Sequence, residues 1–431
     1  MSRRVVITGM GWITPLGHNI DGVWQRLLAG ETGTAPITVF DARTFPTQFA
    51  AEVKNFDLRA FLGPHYERHK TASRNSGFAL AAAELAWKDA GLDRASDLVP
   101  EQIGVYLGGG EGPIDFDNFV AAAIAGWDPE RRQLDAVRWA EVARARLTAV
   151  KEFEQDPNCA AGHIACRFNA QGPNFNTLTA CAASTQALGE AAELIRRGDA
   201  DVMISGGAHS MIHPLGVTGF NRLTALSTRN DDYRSASRPF DRTRDGFVLG
   251  EGAGILILEE LEAARRRGAR ILAEIIGYGS TADAFRVTDM HETGRGAVAA
   301  MRGALADAGV SVDDIDYISA HGTGTEENDK IETLAIKTVF GARATQVPIS
   351  SVKSMLGHLI AGAGAVELIT CVLAIRDQIV PPTANYREPD PNCDLDYVPN
   401  QPRRLRVRTC LSNSFGFGGQ NDTLIIRAYE G

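Results

Sequence analysis

Short apolar runs alternate with longer Ala-rich segments along most of this chain of 431 residues. Runs such as residues 103–107 and 317–320 have the length of strands, whereas residues 76–90 have helical spacing and stop at a glycine. Alternation of this kind is typical of α/β proteins. The pattern predicts an α/β fold with many tight strand-to-helix turns, which agrees with a content of 44 glycines.

Two parts of the chain resemble each other. VVITGMG at residues 5–11 is similar to ILAEIIGYG at residues 271–279, and each is followed by an Ala-rich helical segment. Self-similarity of this kind predicts a structural repeat. We therefore expect two pseudo-repeated α/β halves, residues 1–263 and residues 264–431.

One segment, at about residues 113–158, breaks the alternation. It is rich in Trp, Arg, Glu and Ala and contains a charged helical stretch at residues 135–153. We interpret it as an insertion. It is either a surface helix with charge pairs one turn apart or a segment that binds a partner or covers the substrate.

The composition excludes several classes of protein. A net charge of -9 offers no basic footprint for nucleic acid. No apolar run reaches the roughly 18 residues that a membrane span requires. The six cysteines show no paired CxxC spacing, so we expect a reducing, cytoplasmic location.

Cys181 is the strongest candidate nucleophile. It follows the β-rich run NTLTA and precedes small residues and a helical pattern, so it is predicted at a strand-to-helix elbow. The N-terminus of a helix offers unpaired N–H groups and a positive dipole, which favour a thiolate. The sequence therefore predicts a reactive thiol at Cys181.

Two histidine motifs accompany this cysteine. AHGTGT contains His321, and KSMLGH runs from Lys353 to His358, each placing a histidine where a strand meets a loop. Neither motif has HExxH or another metal-ligand spacing, so no metal is expected. Together with Cys181, the histidines suggest a catalytic group.

The ordered motifs TAC, HGTGT, KSMLGH and NSFGFGG resemble those of the β-ketoacyl synthase family, especially its elongating synthase II branch. The segments at residues 7–17 and 226–254 extend the resemblance over nearly the whole chain. Several spaced motifs are far more specific than one. The resemblance implies a thiolase-like fold with a five-layered αβαβα core. It also implies a homodimer, with a heterodimer as an alternative.

The resemblance implies an acyltransferase that condenses malonyl-carrier protein with an acyl group on Cys181. His321 and His358 would donate N–H groups to the malonyl thioester carbonyl, and Lys353 would support them. The backbone N–H groups of Cys181 and Phe417 would form the oxyanion hole. No bound cofactor is implied, because the substrates are carried on the phosphopantetheine of an acyl-carrier protein.

Further roles follow from the same resemblance. Glu332, one turn after Asp329, is the expected partner of Lys353, although both carboxylates could equally form an ion pair without a chemical role. Phe415 and Phe417 would gate the site, the alternative for Phe415 being a core aromatic. The remaining implied contacts are an acyl-pocket residue and two hydroxyls for the phosphopantetheine arm: Phe220, Thr323 and Thr325.

Four basic residues fall at helical spacing where the family presents charge to the acidic carrier. Such a group is either a docking site or a solvated helix face. The four are Arg68, His69, Lys70 and Arg74.

The chain departs from the family pattern at two positions. Glu111 stands where an apolar side chain usually meets the acyl tail, and Gln420 stands where synthase II enzymes usually have Thr. Glu111 would turn to solvent, pair with a base, or face a polar acyl group. We favour the last interpretation and a specialised lipid or polyketide pathway.

Four other kinds of protein fit these motifs less well. A thiolase needs a second cysteine near the C-terminal loop, and the initiating synthase III class combines Cys, His and Asn. A chain-length-factor partner usually lacks the nucleophile, whereas this chain retains Cys181. The fourth alternative is a carrier-docking scaffold without turnover, which would bind a carrier but release no carbon dioxide.

Overall fold

The computed structural model describes residues 3–110, 112 and 114–431. Within these residues the strands alternate with helices over most of the chain, as predicted. The strands are β1 (Val5–Ile13), β2 (Ala35–Pro36), β3 (Phe49–Ala50), β4 (Ile103–Gly109), β5 (Trp127–Asp128), β6 (Gln133–Leu134), β7 (Asn174–Thr177), β8 (Val202–His209), β9 (Gly252–Glu260), β10 (Ala273–Ala282), β11 (Tyr317–Ser319), β12 (Ile349–Ser350), β13 (Ile379–Val380), β14 (Arg403–Arg404), β15 (Thr409–Gly416) and β16 (Gln420–Arg427).

The helices of the same described residues include long ones that flank the strands and short ones in the connections. They are α1 (Ile20–Leu28), α2 (Leu58–Leu62), α3 (Tyr66–His69), α4 (Arg74–Asp89), α5 (Phe116–Gly126), α6 (Ala136–Arg146), α7 (Ala149–Phe153), α8 (Cys159–Phe168), α9 (Ala183–Arg197), α10 (Pro214–Arg222), α11 (Leu261–Arg266), α12 (Arg295–Ala308), α13 (Glu326–Phe340), α14 (Lys353–Leu356) and α15 (Ala363–Asp377).

Hydrogen bonds link ten strands of the described chain in the order β12-β11-β15-β16-β10-β1-β9-β8-β4-β7, and two sets of five strands meet at the short pairing of β10 with β1. The two halves mirror each other about the β10–β1 pair. In the first half β1 is followed outwards by β9, β8, β4 and β7, and in the second β10 is followed by β16, β15, β11 and β12. The matching order confirms the predicted pseudo-repeat.

The helices complete five layers. α4 packs against β1 and β9, and α12 packs against β10 and β16. Between the two sets of strands, α9 and α15 contact each other and strands of both halves. The order αβαβα agrees with the expected architecture, and it places the N-termini of α9 and α15 side by side at the centre of the molecule.

The repeated glycines explain how the outer helices approach the strands. A Cβ atom on Gly11 of β1 would lie 2.3 Å from the carbonyl oxygen of Ala82 in α4. A Cβ atom on Gly279 of β10 would lie 2.1 Å from that of Ala300 in α12. Only glycine allows this contact, so the two similar sequence segments perform the same packing task in both halves.

The segment that breaks the alternation folds differently from the single charged helix predicted for residues 135–153. Its described part contains α5, the β5–β6 hairpin, α6 and α7. The helix is interrupted because Leu147 has extended backbone and Thr148 caps α7, its hydroxyl accepting the N–H of Lys151.

None of the helices in the described residues has the length and apolar character to cross a membrane.

Candidate active site

Cys181 lies at a strained elbow between β7 and α9. A short 3₁₀ turn at Ala180–Ala182 carries it, and Ala180 has a φ of 48°, in the left-handed region. A non-glycine residue in this region is uncommon and is often found at functional sites. The second half repeats the feature before α15, where Ile360 has a φ of 46° and begins the turn Ile360–Gly362.

The two pseudo-repeated halves bring the sequence-predicted side chains together. Sγ of Cys181 lies 2.9 Å from Nε2 of His358. One ligand atom each from Cys181, His321 and His358 lie within 4.8 Å of one another, and all three residues are buried. They line a cavity of about 360 Å³, which Phe415 and Phe417 also border.

The hydrogen bonds fix the tautomer of His358. The backbone N–H of Ile360 donates to Nδ1 of His358 at 3.2 Å, so this nitrogen carries no proton. Burial, with the charge of Lys353 second, holds the pKa of His358 well below its ordinary value. His358 is therefore neutral and presents an Nε2–H group to the cavity.

The same argument applies to His321. Nζ of Lys353 lies 3.4 Å from Nδ1 of His321, and because an ammonium group can only donate hydrogen bonds, this nitrogen carries no proton. Burial, followed by the charge of Lys353, holds the pKa of His321 well below its ordinary value. Both histidines are thus neutral N–H donors close to the Cys181 sulfur.

The partner of Lys353 is Glu367, and the expectation of Glu332 is wrong. Lys353 forms a buried ion pair with Glu367 of α15 and donates to the carbonyl oxygen of His321 at 2.6 Å. Sequence reasoning missed Glu367. Its signal was a lone acidic residue in an otherwise apolar helix, residues 363–375, since an acid is rarely fully buried without a partner.

Glu332 and Asp329 instead hold the backbone of the HGTGT loop. Glu332 accepts the N–H groups of His321 and Gly322 at 2.9 and 2.8 Å. Asp329 accepts the N–H of Gly324 at 3.2 Å and lies 3.6 Å from the guanidinium of Arg244. Burial raises the pKa of Glu332 to about 7, against these backbone hydrogen bonds.

The thiol of Cys181 differs from the predicted thiolate. Burial raises its pKa to about 11, while the charge of Lys353 and the backbone N–H groups of Phe417 and Cys181 oppose this rise. The free site therefore holds a neutral thiol. The opposing groups surround the sulfur, so they stabilise negative charge that develops there during reaction.

The NSFGFGG motif forms the hairpin between β15 and β16 and closes one side of the site. A Cβ atom on Gly416 would lie 2.7 Å from the carbonyl oxygen of Thr179, so glycine is needed for the hairpin to approach the elbow. Phe415 is buried with its ring 5.7 Å from that of His321, whereas Phe417 is half-buried. The hairpin is tied to a neighbouring loop, because Gly418 donates to the carbonyl oxygen of Val287 at 2.6 Å.

The residues expected to contact substrate lie around the same cavity. Thr323 and Thr325 line it, with their hydroxyl oxygens 2.9 Å apart. Phe220 of α10 belongs to an apolar cluster that includes Cys181, and its ring makes an edge contact with Phe247. Glu111 lies outside the described residues, and Gln420 begins β16.

The four predicted docking residues do not lie on one helix, so the expected helical spacing is wrong. Arg68 and Lys70 are exposed. His69 is buried against His163, with their Nδ1 atoms 3.0 Å apart. Arg74 starts the next helix, α4, and its guanidinium forms an ion pair with buried Glu251.

The Cys181, His321 and His358 cluster also has the donor atoms of a soft-metal site. A metal at Nε2 of a neutral imidazole requires a proton at Nδ1. In His358 that nitrogen already accepts the N–H of Ile360, and in His321 it faces Lys353. The hydrogen bonds of this site therefore favour N–H donation over metal coordination.

Comparison with known proteins agrees with this geometry. The family model described as Beta-ketoacyl synthase, N-terminal domain, matches residues 2–264, and the model for the C-terminal domain matches residues 272–387. The chain is similar to the 3-oxoacyl-(acyl-carrier-protein) synthase 2 of Synechocystis sp., with 45% identity over 99% of both chains. It is similar to the protein of the same name from Coxiella burnetii, with 43% identity over 98% of both.

A solved structure supports the same relationship. It is a ketosynthase in complex with its type II PKS acyl-carrier protein, bound to the hexaketide. It is 36% identical to this chain, covers 100% of both chains and has a TM-score of 0.87. With both domain models and full-length relatives in agreement, the chain belongs to the β-ketoacyl synthase family of condensing enzymes.

Proposed function

We propose that this chain catalyses a decarboxylative Claisen condensation between malonyl-carrier protein and an acyl group held on Cys181. The observation that carries the proposal is the convergence of the Cys181 thiol with the Nε2–H groups of His321 and His358 on one cavity. This arrangement combines a nucleophile with two donors for a carbonyl oxygen, which a condensation requires.

The first half-reaction transfers the acyl group to the enzyme. The Cys181 sulfur attacks the thioester of the acyl-carrier, and the carrier thiol leaves with the proton of the Cys181 thiol. Burial makes negative charge on the sulfur unfavourable. Lys353 and the N–H groups of Cys181 and Phe417 offset part of this effect. The N–H groups of Cys181 and Phe417 then hold the oxyanion of the tetrahedral intermediate.

The second half-reaction forms the carbon–carbon bond. Malonyl-carrier places its thioester carbonyl oxygen between the N–H groups of His321 and His358. Loss of carbon dioxide leaves an enolate, whose charge these two donors stabilise. The carbanion attacks the acyl carbon, and collapse of the intermediate expels Cys181, which takes up one proton. The product is β-ketoacyl-carrier.

The carrier is an acyl-carrier protein, and its phosphopantetheine arm supplies the thioester. The hydroxyl groups of Thr323 and Thr325 at the cavity wall suit the amide groups of such an arm. Arg68 and Lys70 are exposed cations that suit an acidic carrier surface. No resident cofactor or metal is needed for these steps.

We also propose a homodimer formed along β7. This strand is at the edge of the sheet; Phe175 within it is 49% exposed, and Leu178 directly after it is 50% exposed. An open edge with exposed apolar side chains is suited to pairing with a second copy. A heterodimer of two complete subunits is the alternative.

We infer a boundary between the halves near residue 264. We also infer a cytoplasmic location, because the six free cysteines favour a reducing compartment.

Substrate choice within this reaction is a separate proposal. Glu111 and Gln420 depart from the family pattern in sequence, so we propose a polar or partly oxidised acyl group from a specialised pathway. The rival functions are a non-catalytic chain-length partner and a thiolase that acts on CoA thioesters. The presence of Cys181, His321, Lys353 and His358 in one site favours the condensing enzyme.

Intact mass spectrometry tests the reaction directly. The native chain and Cys181→Ala are incubated with a panel of acyl-carriers and then with malonyl-carrier. We expect the mass of one acyl group on the native chain alone, and its loss with formation of β-ketoacyl-carrier after malonyl-carrier is added. If no carrier acylates the native chain, the chain-length-partner function gains support. If acyl-CoA acylates Cys181 equally well and malonyl-carrier does not remove the acyl group, the thiolase function gains support.

A further inference from the structure

Arg244 lies directly behind the loop that carries Thr323 and Thr325. Its side chain is 2% exposed. Nε donates to the carbonyl oxygen of Thr325 at 3.1 Å, and Nη2 donates to that of Glu326 at 2.9 Å. The side chain thus bonds two consecutive carbonyl groups at the end of the HGTGT loop.

The opposite side of the guanidinium is fixed to another part of the fold. Nη1 donates to the carboxylate of Asp390 at 2.5 Å and to the carbonyl oxygen of Asp241 at 2.9 Å. Two carboxylates, Asp390 and Asp329, balance its charge. Arg244 therefore connects the loop to the 241 turn and to the segment around residue 390, and both are remote from the loop in sequence.

Asp329 completes the same support from the other face of the backbone. It accepts the N–H of Gly324 at 3.2 Å and that of Phe240 at 2.7 Å. Arg244 holds the carbonyl groups of the loop, and Asp329 holds an N–H group. The loop needs such support, because Gly322 and Gly324 have positive φ values of 35° and 84° and glycine is conformationally free.

We propose that Arg244 is a positioning residue for the phosphopantetheine arm. It fixes the backbone at Thr325 and Glu326, so that the hydroxyl groups of Thr323 and Thr325 are held ready to bind the amide groups of the arm. Fixed donors and acceptors bind a ligand without the cost of ordering them first. Lys cannot replace Arg244, because one ammonium cannot span two carbonyl groups and a carboxylate in a plane. The inference rests on the proposed function.

The test separates arm binding from general damage by using two acyl donors. An acyl-pantetheine thioester carries the amide groups of the arm, and the S-ethyl thioester of the same acid carries none. Acylation of Cys181 is followed by intact mass for the native chain, Arg244→Lys and Arg238→Lys. Arg238 is the matched control: it is buried, but its side chain bonds Ser235 and Thr243 instead of the loop.

We expect Arg244→Lys to lower kcat/KM for the pantetheine donor about tenfold, the equivalent of one lost charge-assisted hydrogen bond. The S-ethyl donor should be nearly unaffected, and Arg238→Lys should not change the ratio between the donors. An equal loss for both donors would mean a structural role, and no loss for either would mean no role. Both results overturn the proposal.

A second variant decides the question if Arg244→Lys does not fold, as judged by its thermal unfolding. Asp390→Asn keeps the arginine and removes the negative charge that pairs with its Nη1. It should lower the ratio of pantetheine to S-ethyl acylation in the same direction, and an unchanged ratio overturns the proposal. Failure of the proposed function looks different, because neither donor would then acylate the native chain.

Discussion

The buried ammonium of Lys353 forms an ion pair with Glu367 of α15, and the same ammonium donates to the backbone carbonyl oxygen of His321. Lys353 therefore links the central helix α15 to the loop that carries His321. Its charge also lowers the pKa of both histidines and, to a lesser extent than burial raises it, the pKa of the Cys181 thiol.

Replacement of Glu367 should destabilise the protein strongly. Glu367→Gln leaves the Lys353 charge buried without its partner, so we expect the free energy of unfolding to fall by about 3–5 kcal/mol. Urea denaturation measures the change. Glu31→Gln, which breaks the exposed pair with Arg26, is the control and should have little effect. Equal effects of the two variants would show that the Lys353 pair is not important for stability.

Glu332→Gln should remove a pH dependence of stability. Burial raises the pKa of Glu332 from its ordinary value of 4.5 to about 7, so the folded state holds an extra proton between these values. This extra proton binding favours the folded state; its contribution to the free energy of unfolding is fully present below pH 4.5 and is lost as the pH rises through about 7. The difference in unfolding free energy between native chain and variant should therefore shrink by up to about 1.4 kcal/mol per pH unit over this range.

The matching measurement is urea unfolding of both proteins at several pH values on either side of this window. The lost hydrogen bond to His321 or Gly322 contributes a part of the difference in unfolding free energy that does not vary with pH. If the whole difference does not vary with pH, Glu332 titrates at its ordinary value and the prediction is wrong.

Phe220→Ala should change the preferred acyl length. The Phe220 ring packs in the apolar cluster around Cys181, so its removal enlarges the space next to the thioester. We expect the rate of Cys181 acylation by long acyl-carriers to rise relative to that by short ones, measured by intact mass. Phe285→Ala, at a ring that is 48% exposed, is the control. An unchanged length profile in Phe220→Ala would place the acyl tail elsewhere.

Phe175→Glu should dissociate the proposed homodimer. A charge on β7 would lie close to the same charge of the second copy across a symmetric strand pair, and like charges repel. Light scattering should report the mass of two chains for the native protein and of one chain, 46.3 kDa, for the variant. Leu134→Glu, an exposed apolar position on β6, is the control and should remain dimeric. A dimeric Phe175→Glu protein would exclude this interface.

Charge reversal at Arg68 and Lys70 should weaken carrier binding. The double variant to Glu should raise KM for acyl-carrier about tenfold and leave kcat nearly unchanged, because the charges act on docking and not on the chemistry. The effect should diminish at high salt. Arg94→Glu is the control, because Arg94 lies beyond the C-terminal end of α4, and the 16 residues of this helix span about 24 Å. An equal effect of Arg94→Glu would indicate general electrostatics.

Much of the site was predictable because its residues lie within short motifs. The elbow at Cys181, the two histidine loops and the glycine hairpin each depend on contacts between neighbours in sequence. The predicted helix at residues 135–153 was wrong at one point, where Thr148 offers a capping side chain and starts a new helix. A change of one backbone angle is difficult to read from helical spacing alone.

The sequence by itself determined the α/β alternation, the pseudo-repeat and the choice of Cys181, His321 and His358 as the candidate site. These features follow from local periodicity, from glycines that allow close packing, and from motif spacing. The tertiary structure alone decided that Lys353 pairs with Glu367, that His69 is buried against His163, and that the thiol is neutral. Each of these depends on burial and on partners from distant segments, because an ion pair or a pKa is set by what the folded chain brings within a few ångströms.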